Sequence, residues 1–460
     1  MPSSRSRTAR ADSPWPPKAA SPAGPPGSPR VDGLPADVGV ESFAAATRDL
    51  GDRLVTRAVW HGDRCSWTAD QLEPVDGHWA VVHGSVDASL YGGTAGIARF
   101  LLHLWHTTGV TRYRDTALGA LRRSWAQAES DASPGGLFTG PLGTACVTVE
   151  AGRLLLRDDL TARGLKLGER VTDALTRQHQ YRGYDVIDGL AGALLGCAYL
   201  AGVDRASRFR SASLEIGRAV AAAARRAPHG LSWPDPDSGV ALCGLGHGAS
   251  GVALGLLESW RVTGDESLGA AARDALRYEQ AWFDPARGAW PDNRDVATGA
   301  PGEVSYPAFW CHGSAGIGLV RLRGYQLTHD PTMLAEAGAA LHTASTLIGS
   351  LTLGDPSSGP AAPDGNFSIC HGICGLIELL TFAADVLGQP VFLQRARAAG
   401  RFGLEQVGRA SGRWLCGVAG GDEHPGLMLG LSGIGMCYLR LATPGLVPPA
   451  SMQVPWPVNK

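Results

Sequence analysis

Apolar runs recur along the chain, each opening on a Gly-x-x-Gly motif, and stretches with apolar residues at every third or fourth position separate them. The motif occurs seven times, beginning at Gly93, Gly140, Gly189, Gly248, Gly313, Gly372 and Gly430, so that successive first glycines lie 47, 49, 59, 65, 59 and 58 residues apart. Intervals of this size mark an internal repeat. Most of the motifs open a stretch that is apolar nearly all round, such as Ile97, Ala98, Phe100, Leu101 and Leu102, or Val252, Ala253, Leu254, Leu256 and Leu257. A helix of that kind has to be buried. The intervening stretches predict amphipathic helices: over 111–127, Leu118, Leu121 and Trp125 share one face, while Arg112, Arg114, Arg122 and Arg123 meet water.

Seven helical hairpins, each with one buried and one half-exposed helix, cover their apolar faces best as two concentric rings. The pattern therefore predicts an all-α fold, an α/α toroid. An open solenoid would keep a more polar concave side. Glycines at the start of each inner helix predict close backbone approach at a crowded centre. The loops before the last four inner helices are long and rich in Gly, Pro and Asp, notably 282–310 and 349–369, and loops of that length in a compact domain are usually functional.

Residues 37–445 are read as the toroid. Upstream, residues 1–35 carry nine of the 30 prolines with no hydrophobic period, which makes 1–36 a disordered Pro/Ser/Arg-rich tail. Residues 446–460 are read as a C-terminal tail.

Composition narrows the function. With 41 Lys+Arg against 43 Asp+Glu the net charge is −2, which argues against a nucleic-acid partner held by bulk positive charge. The most apolar uncharged stretch, 189–203, is too short and Gly-rich for a membrane span. No signal-peptide core opens the chain, so a cytoplasmic location is expected and the nine cysteines are poor candidates for a disulfide framework. Metal or catalytic roles are the better expectation for them.

Aligning the repeats on their first glycine brings out the chemistry. The preceding residue reads Gly92, Thr139, Asp188, His247, His312, His371, Leu429, and the one before it Tyr91, Phe138, Ile187, Gly246, Cys311, Cys370, Met428. Equivalent repeats would set all of these around one mouth of the toroid. Cys311, Cys370 and His371 then make a candidate Zn²⁺ site with one open tetrahedral position, the catalytic pattern. Thiolates favour zinc over magnesium or calcium. A free thiol is only about 3% thiolate at pH 7, so a metal that deprotonates a substrate thiol would raise the available nucleophile about thirtyfold. Cys374, one turn beyond Cys370, is read as a packing residue, and the remaining six cysteines as core.

The motifs Trp-Cys-His-Gly (310–313), Cys-His-Gly (370–372), Gly-His-Gly-Ala-Ser-Gly (246–251), Tyr-Asp-Val-Ile-Asp-Gly-Leu-Ala-Gly (184–192) and Gly-Leu-Met-Leu-Gly-Leu-Ser-Gly-Ile-Gly (426–435) resemble those of the lanthionine synthetase C (LanC) family. The resemblance runs in order over about residues 40–445. It implies an α/α toroid with a Cys, Cys, His zinc site and addition of Cys thiols to dehydroalanine or dehydrobutyrine in a modified peptide. Thiolate attack leaves an enolate that must be protonated; the resemblance makes His247 the candidate acid and sets the family's functional Asp on Asp185. Each has a bland alternative as a helix-start cap, and Asp188, nearer the glycine, competes with Asp185. His312 is read as supporting the zinc ligand next to it rather than as catalytic.

One departure stands out. Some family members carry an Arg shortly before the first zinc Cys, where this chain has Ser305, Tyr306, Pro307, Ala308, Phe309 and Trp310; Arg294 is a guess at the replacement. About 40 residues precede the toroid, without a phosphate loop, so the chain resembles a stand-alone cyclase. That implies a leader-bearing peptide and a separate dehydratase as partners, with a membrane-associated complex left open. Two other functions remain: a non-catalytic peptide-binding scaffold with structural zinc, and a zinc thiol-transferase of the prenyltransferase type.

Overall fold

The computed structural model describes residues 39–75, 78–130, 136–178, 183–204, 207–236, 238–298, 304–353, 366–410, 412–418 and 423–454. Seven inner helices follow the seven motifs: α2 (Thr94–Thr108), α4 (Pro141–Leu155), α6 (Leu190–Val203), α8 (Ala249–Thr263), α11 (Ser314–Thr328), α13 (Ile373–Leu387) and α15 (Leu431–Ala442). They are buried on every side, as α6 shows from Leu190 to Leu200. Each packs on the next, and α15 packs on α2, so the inner ring closes.

The outer helices are α1 (Val40–Arg57), α3 (Thr111–Ser130), α5 (Asp158–Gln178), α7 (Arg208–Ala223), α9 (Glu266–Gln280), α12 (Pro331–Leu353) and α14 (Pro390–Arg409). They are one-sided: α9 buries Leu268, Ala271, Ala272, Ala275 and Leu276, turns Glu266 and Arg277 to water, and keeps one charge inside, Glu279, paired to Arg321 at 3.0 Å. Six outer helices follow their inner partners in sequence. The seventh pair joins the two ends of the fold, because α1 lies on α15, with Phe43 edge-on to Tyr438 at 5.8 Å.

The inner helices begin without side-chain caps. Their first N–H groups donate instead to carbonyls seven residues upstream, as in Gly96 to Ser89, Gly251 to Gly244, Gly316 to Phe309 and Leu431 to His424. This tucks the loop beneath the helix start and explains the second glycine of each motif. A Cβ there would lie between 1.8 Å (Gly433) and 2.6 Å (Gly375) from a carbonyl oxygen of that same loop. The close backbone approach expected at the centre is thus made by each helix start on the loop before it.

Three features were not foreseen. The antiparallel pairs β1 (Val59–His61) with β2 (Arg64–Ser66), and β3 (Thr68–Val75) with β4 (His78–Ser85), stand between α1 and α2, and β5 (Arg225–Ala227) with β6 (Gly230–Ser232) follows α7. Within the long loop 282–310 lies a short helix, α10 (Asn293–Thr298), and α12 runs on through the start of the second loop to Leu353. The C-terminal tail read from 446 is corrected over its described part: Val447, Ala450, Met452 and Val454 are buried. Arg99 of α2 donates to the carbonyls of Ala450 (2.8 Å) and Pro449 (3.4 Å), and Glu378 of α13 accepts from Ser451 Oγ (2.9 Å), which ties the segment to two inner helices. The tail read at 1–36 lies outside the described residues. No described helix is long and apolar enough to cross a membrane.

Candidate metal centre

The loops that precede the inner helices are stitched into a ring by the backbone. Tyr91 N–H donates to Phe138 (2.9 Å), Phe138 to Ile187 (3.1 Å), Val186 to Gly246 (3.1 Å), Gly246 to Cys311 (3.0 Å), Cys311 to Cys370 (3.2 Å), Cys370 to Met428 (3.0 Å) and Met428 back to Tyr91 (2.8 Å). The members are those two residues before each first glycine, apart from a one-residue step at Val186 and Ile187. Cys311 and Cys370 therefore become neighbours through the sequence register itself.

The sulfur atoms of Cys311 and Cys370 and a ring nitrogen of His371 lie within 4.8 Å of one another. Both cysteines are buried and His371 is half-buried. Among the described residues no other Cys, His, Asp or Glu cluster meets this description. Ligand atoms of a tetrahedral zinc site with bonds of 2.0–2.3 Å stand about 3.3–3.8 Å apart, so three soft or borderline donors at this spacing fit the ion after a contraction. The backbone of Gly417 lies against the His371 ring, where a Cβ would sit 2.7 Å from Nε2. Burial lowers the His371 pKa and favours the neutral, ligating form.

The two thiols lie side by side. Their mutual hydrogen bond pushes Cys311 below the usual thiol range and, with burial, pushes Cys370 well above it. A third group joins from two places along the ring: Tyr91 donates its hydroxyl to Cys370 Sγ at 3.0 Å. Burial and the two cysteines raise the Tyr91 pKa, so the phenol keeps its proton. Tyr91 was missed as a site residue. Its signal was its register, two before Gly93, as Cys311 and Cys370 are two before theirs.

Beside the thiols stands a second pair. His247 Nδ1 meets Asp185 Oδ2 at 2.8 Å, while Asp185 Oδ1 accepts from the N–H groups of Asp188 and Gly189, both at 2.8 Å. Asp185 thus ties the His247 ring to the loop that precedes α6. Burial works against the His247 imidazolium, but the hydrogen bond and charge of Asp185, helped by Cys311, raise its pKa above the ordinary value. Asp188 turns elsewhere, accepting from Thr139 Oγ1 (2.6 Å) and Gly136 N–H (3.3 Å).

His312 stacks on His247 with centroids 5.5 Å apart. Burial, Arg294 and His247 hold its pKa down at about 4, which keeps it neutral near pH 7. Arg294, at the start of α10, is bonded to Asp292 (Nε–Oδ1 2.9 Å), and its charge is felt by both His247 and His312. Cys374 is fully buried outside the cluster, its carbonyl accepting from Cys437 Sγ (3.7 Å), and none of the nine cysteines is in a disulfide.

The sequence profile of the family described as lanthionine synthetase C-like protein matches residues 84–452. A comparison with curated protein sequences finds no match. Among solved structures the chain is similar to one described as nisin cyclase, with a TM-score of 0.58 and 17% identity over 78% of this chain and 89% of that one. A possible member of the GH105 family from Klebsiella pneumoniae has a TM-score of 0.47 and 13% identity over 92% and 98% of the two chains. An inactive variant of an α-1,6-mannanase of Salegentibacter sp. HEL1_6 has 0.45 and 11% over 87% and 99%. At 17% identity the likeness to nisin cyclase speaks for the fold, the same all-α toroid.

Proposed function

The chain belongs to the lanthionine synthetase C-like family, and from that membership we propose that it is a zinc-dependent lanthipeptide cyclase. It adds Cys thiols of a dehydrated precursor peptide to dehydroalanine or dehydrobutyrine, forming lanthionine and methyllanthionine rings. The observation that carries this reading is the meeting of Cys311, Cys370 and His371 within 4.8 Å on the rim that also holds His247 and Asp185.

Zinc bound by Cys311, Cys370 and His371 would supply a Lewis acid that makes a peptide thiol available as thiolate near neutral pH. The sulfur forms its bond to the β-carbon, the alkene electron pair moves into the enolate, and the α-carbon takes a proton. His247 supplies that proton. Asp185 holds Nδ1, so Nε2 is the nitrogen that faces substrate, and the raised pKa keeps it protonated further into the neutral range. The thiol proton balances the one delivered, and mass is unchanged. His312, neutral, packs the His247 ring in place, and Arg294 lends positive charge beside the developing enolate. A leader-bearing peptide is the substrate, a separate dehydratase makes its alkenes, and the reaction belongs in the cytoplasm.

The test is zinc content alongside ring closure in the full chain. Cys311→Ala and Cys370→Ala are expected to lose most of about one zinc per chain and to stop consuming free thiol in a peptide with one Cys and one dehydroalanine, followed by alkylation and mass. Cys374→Ala should keep both. Equal zinc in all three variants would sink the ligand assignment, and zinc-loaded parent protein that leaves the thiol untouched would sink the cyclase.

A further inference from the structure

Tyr91 is held so firmly that its hydroxyl has one destination. Its N–H donates to Phe138 and its carbonyl accepts from Met428 in the backbone ring, while its side chain stands edge-on to Phe138 with centroids 6.3 Å apart. Met428, the rim residue between Tyr91 and Cys370, is apolar and fully buried. Past it the Tyr91 O–H reaches Cys370 Sγ at 3.0 Å, close for a bond to sulfur. Nothing else in the proposed chemistry uses this contact.

We infer that Tyr91 is a positioning residue for Cys370: its hydroxyl fixes the direction of the Cys370 sulfur and draws charge from it, and so tunes the affinity and electronic character of the zinc site. This rests on the ligand assignment above. Two thiolates and a neutral imidazole balance a divalent cation, and a third anionic sulfur from substrate leaves the cluster one charge in excess within a largely buried pocket. A fixed O–H donor at 3.0 Å offsets that excess at Cys370. Partners of this kind, bonded to a ligand rather than to the metal, typically govern metal affinity by 10- to 100-fold.

The experiment compares the full chain with Tyr91→Phe, which keeps the ring against Phe138 and removes only the donor. Zinc affinity, read by competition with a chromophoric chelator, is expected to fall about tenfold. In the Co²⁺-loaded protein the sulfur-to-cobalt charge-transfer band should move to lower energy, because a sulfur without its hydrogen bond is easier to oxidise. A Tyr91→Phe protein with parental zinc affinity and an unmoved band overturns the inference. So does one that only melts earlier, since that is the mark of a packing role. Failure of the ligand assignment looks different: Cys370→Ser would then leave the parental band unchanged.

Discussion

At the scale of single residues, proton supply is the property most open to test. Removing the imidazole by His247→Ala should leave zinc in place and slow ring closure by about 10²- to 10⁴-fold, the usual worth of a positioned acid. Asp185→Asn is the sharper probe. Its Oδ1 can still accept from Asp188 and Gly189, but the negative charge that raises the His247 pKa is gone. The acid must be protonated to act, so turnover falls as pH rises through the His247 pKa, and in Asp185→Asn that fall should begin at lower pH. Stability follows the same sign: what His247 gains from Asp185 is fully present below its unfolded value of about 6.5 and is lost as pH rises through the raised folded value. An alkaline limb that stays put in Asp185→Asn would assign the proton to another group. Much of this site was legible before folding was considered, because Cys311, Cys370, His371 and His247 sit one or two residues before a repeated glycine, whereas Asp185, four before its own, came only from the resemblance. Tyr91 shares that register but bears a side chain more often found in cores, and only the curvature of the ring turns it toward Cys370.

At the scale of elements, the glycines divide into those that build the rim and those that fill helices. Gly313 has φ 108°, ψ −158°, a region closed to other residues, and a Cβ there would meet the Pro307 carbonyl at 1.8 Å. Gly313→Ala should therefore cost at least about 2–3 kcal/mol and loosen zinc, since Cys311 lies two residues away. Gly338, inside α12, has open space where a Cβ would go. There Ala should stabilise the chain by about 0.5–1 kcal/mol and leave zinc unchanged. Denaturant melts with zinc analysis on the two variants check both signs; equal effects would mean that the rim is not strained as described. The inner helices were readable because burial on every side shows in composition alone. The hairpins of β1 to β4 were not: Thr68–Val75 mixes Asp, Gln, Glu and Pro with its apolar residues, and its apolar Leu72 and Val75 stay exposed.

At the scale of the whole molecule, a closed ring depends on how its ends are joined, and that is the part a local sequence pattern does not carry. The first helix completes the last repeat, and the chain then returns through Val447–Val454 into the core between α2 and α13. Neither junction has a signature near it in sequence, because each joins residues more than 300 positions apart or follows the last repeat. Their energetic weight is large. Val447, Met452 and Val454 are each at most 3% exposed, and burying three such side chains contributes up to about 5–9 kcal/mol, against a typical total of about 5–15 kcal/mol. The same segment satisfies Arg99 and Glu378, both buried charges that would lose hydrogen-bond partners with it. Deleting 447–460 should therefore give a chain that is largely unfolded or aggregated and holds little zinc, although no ligand is removed. Met452→Ala, a gentler lesion, should cost about 2–5 kcal/mol and lower the melting temperature by several degrees while zinc stays bound. Deleting 1–36, where the sequence has few apolar residues to bury, should shift neither melting nor zinc. Calorimetry and metal analysis on the three proteins separate these outcomes. A 447–460 deletion that melts like the parent would show that the ring holds itself closed without its C-terminal segment, and a 1–36 deletion that melts early would show that the Pro-rich segment packs on the toroid after all.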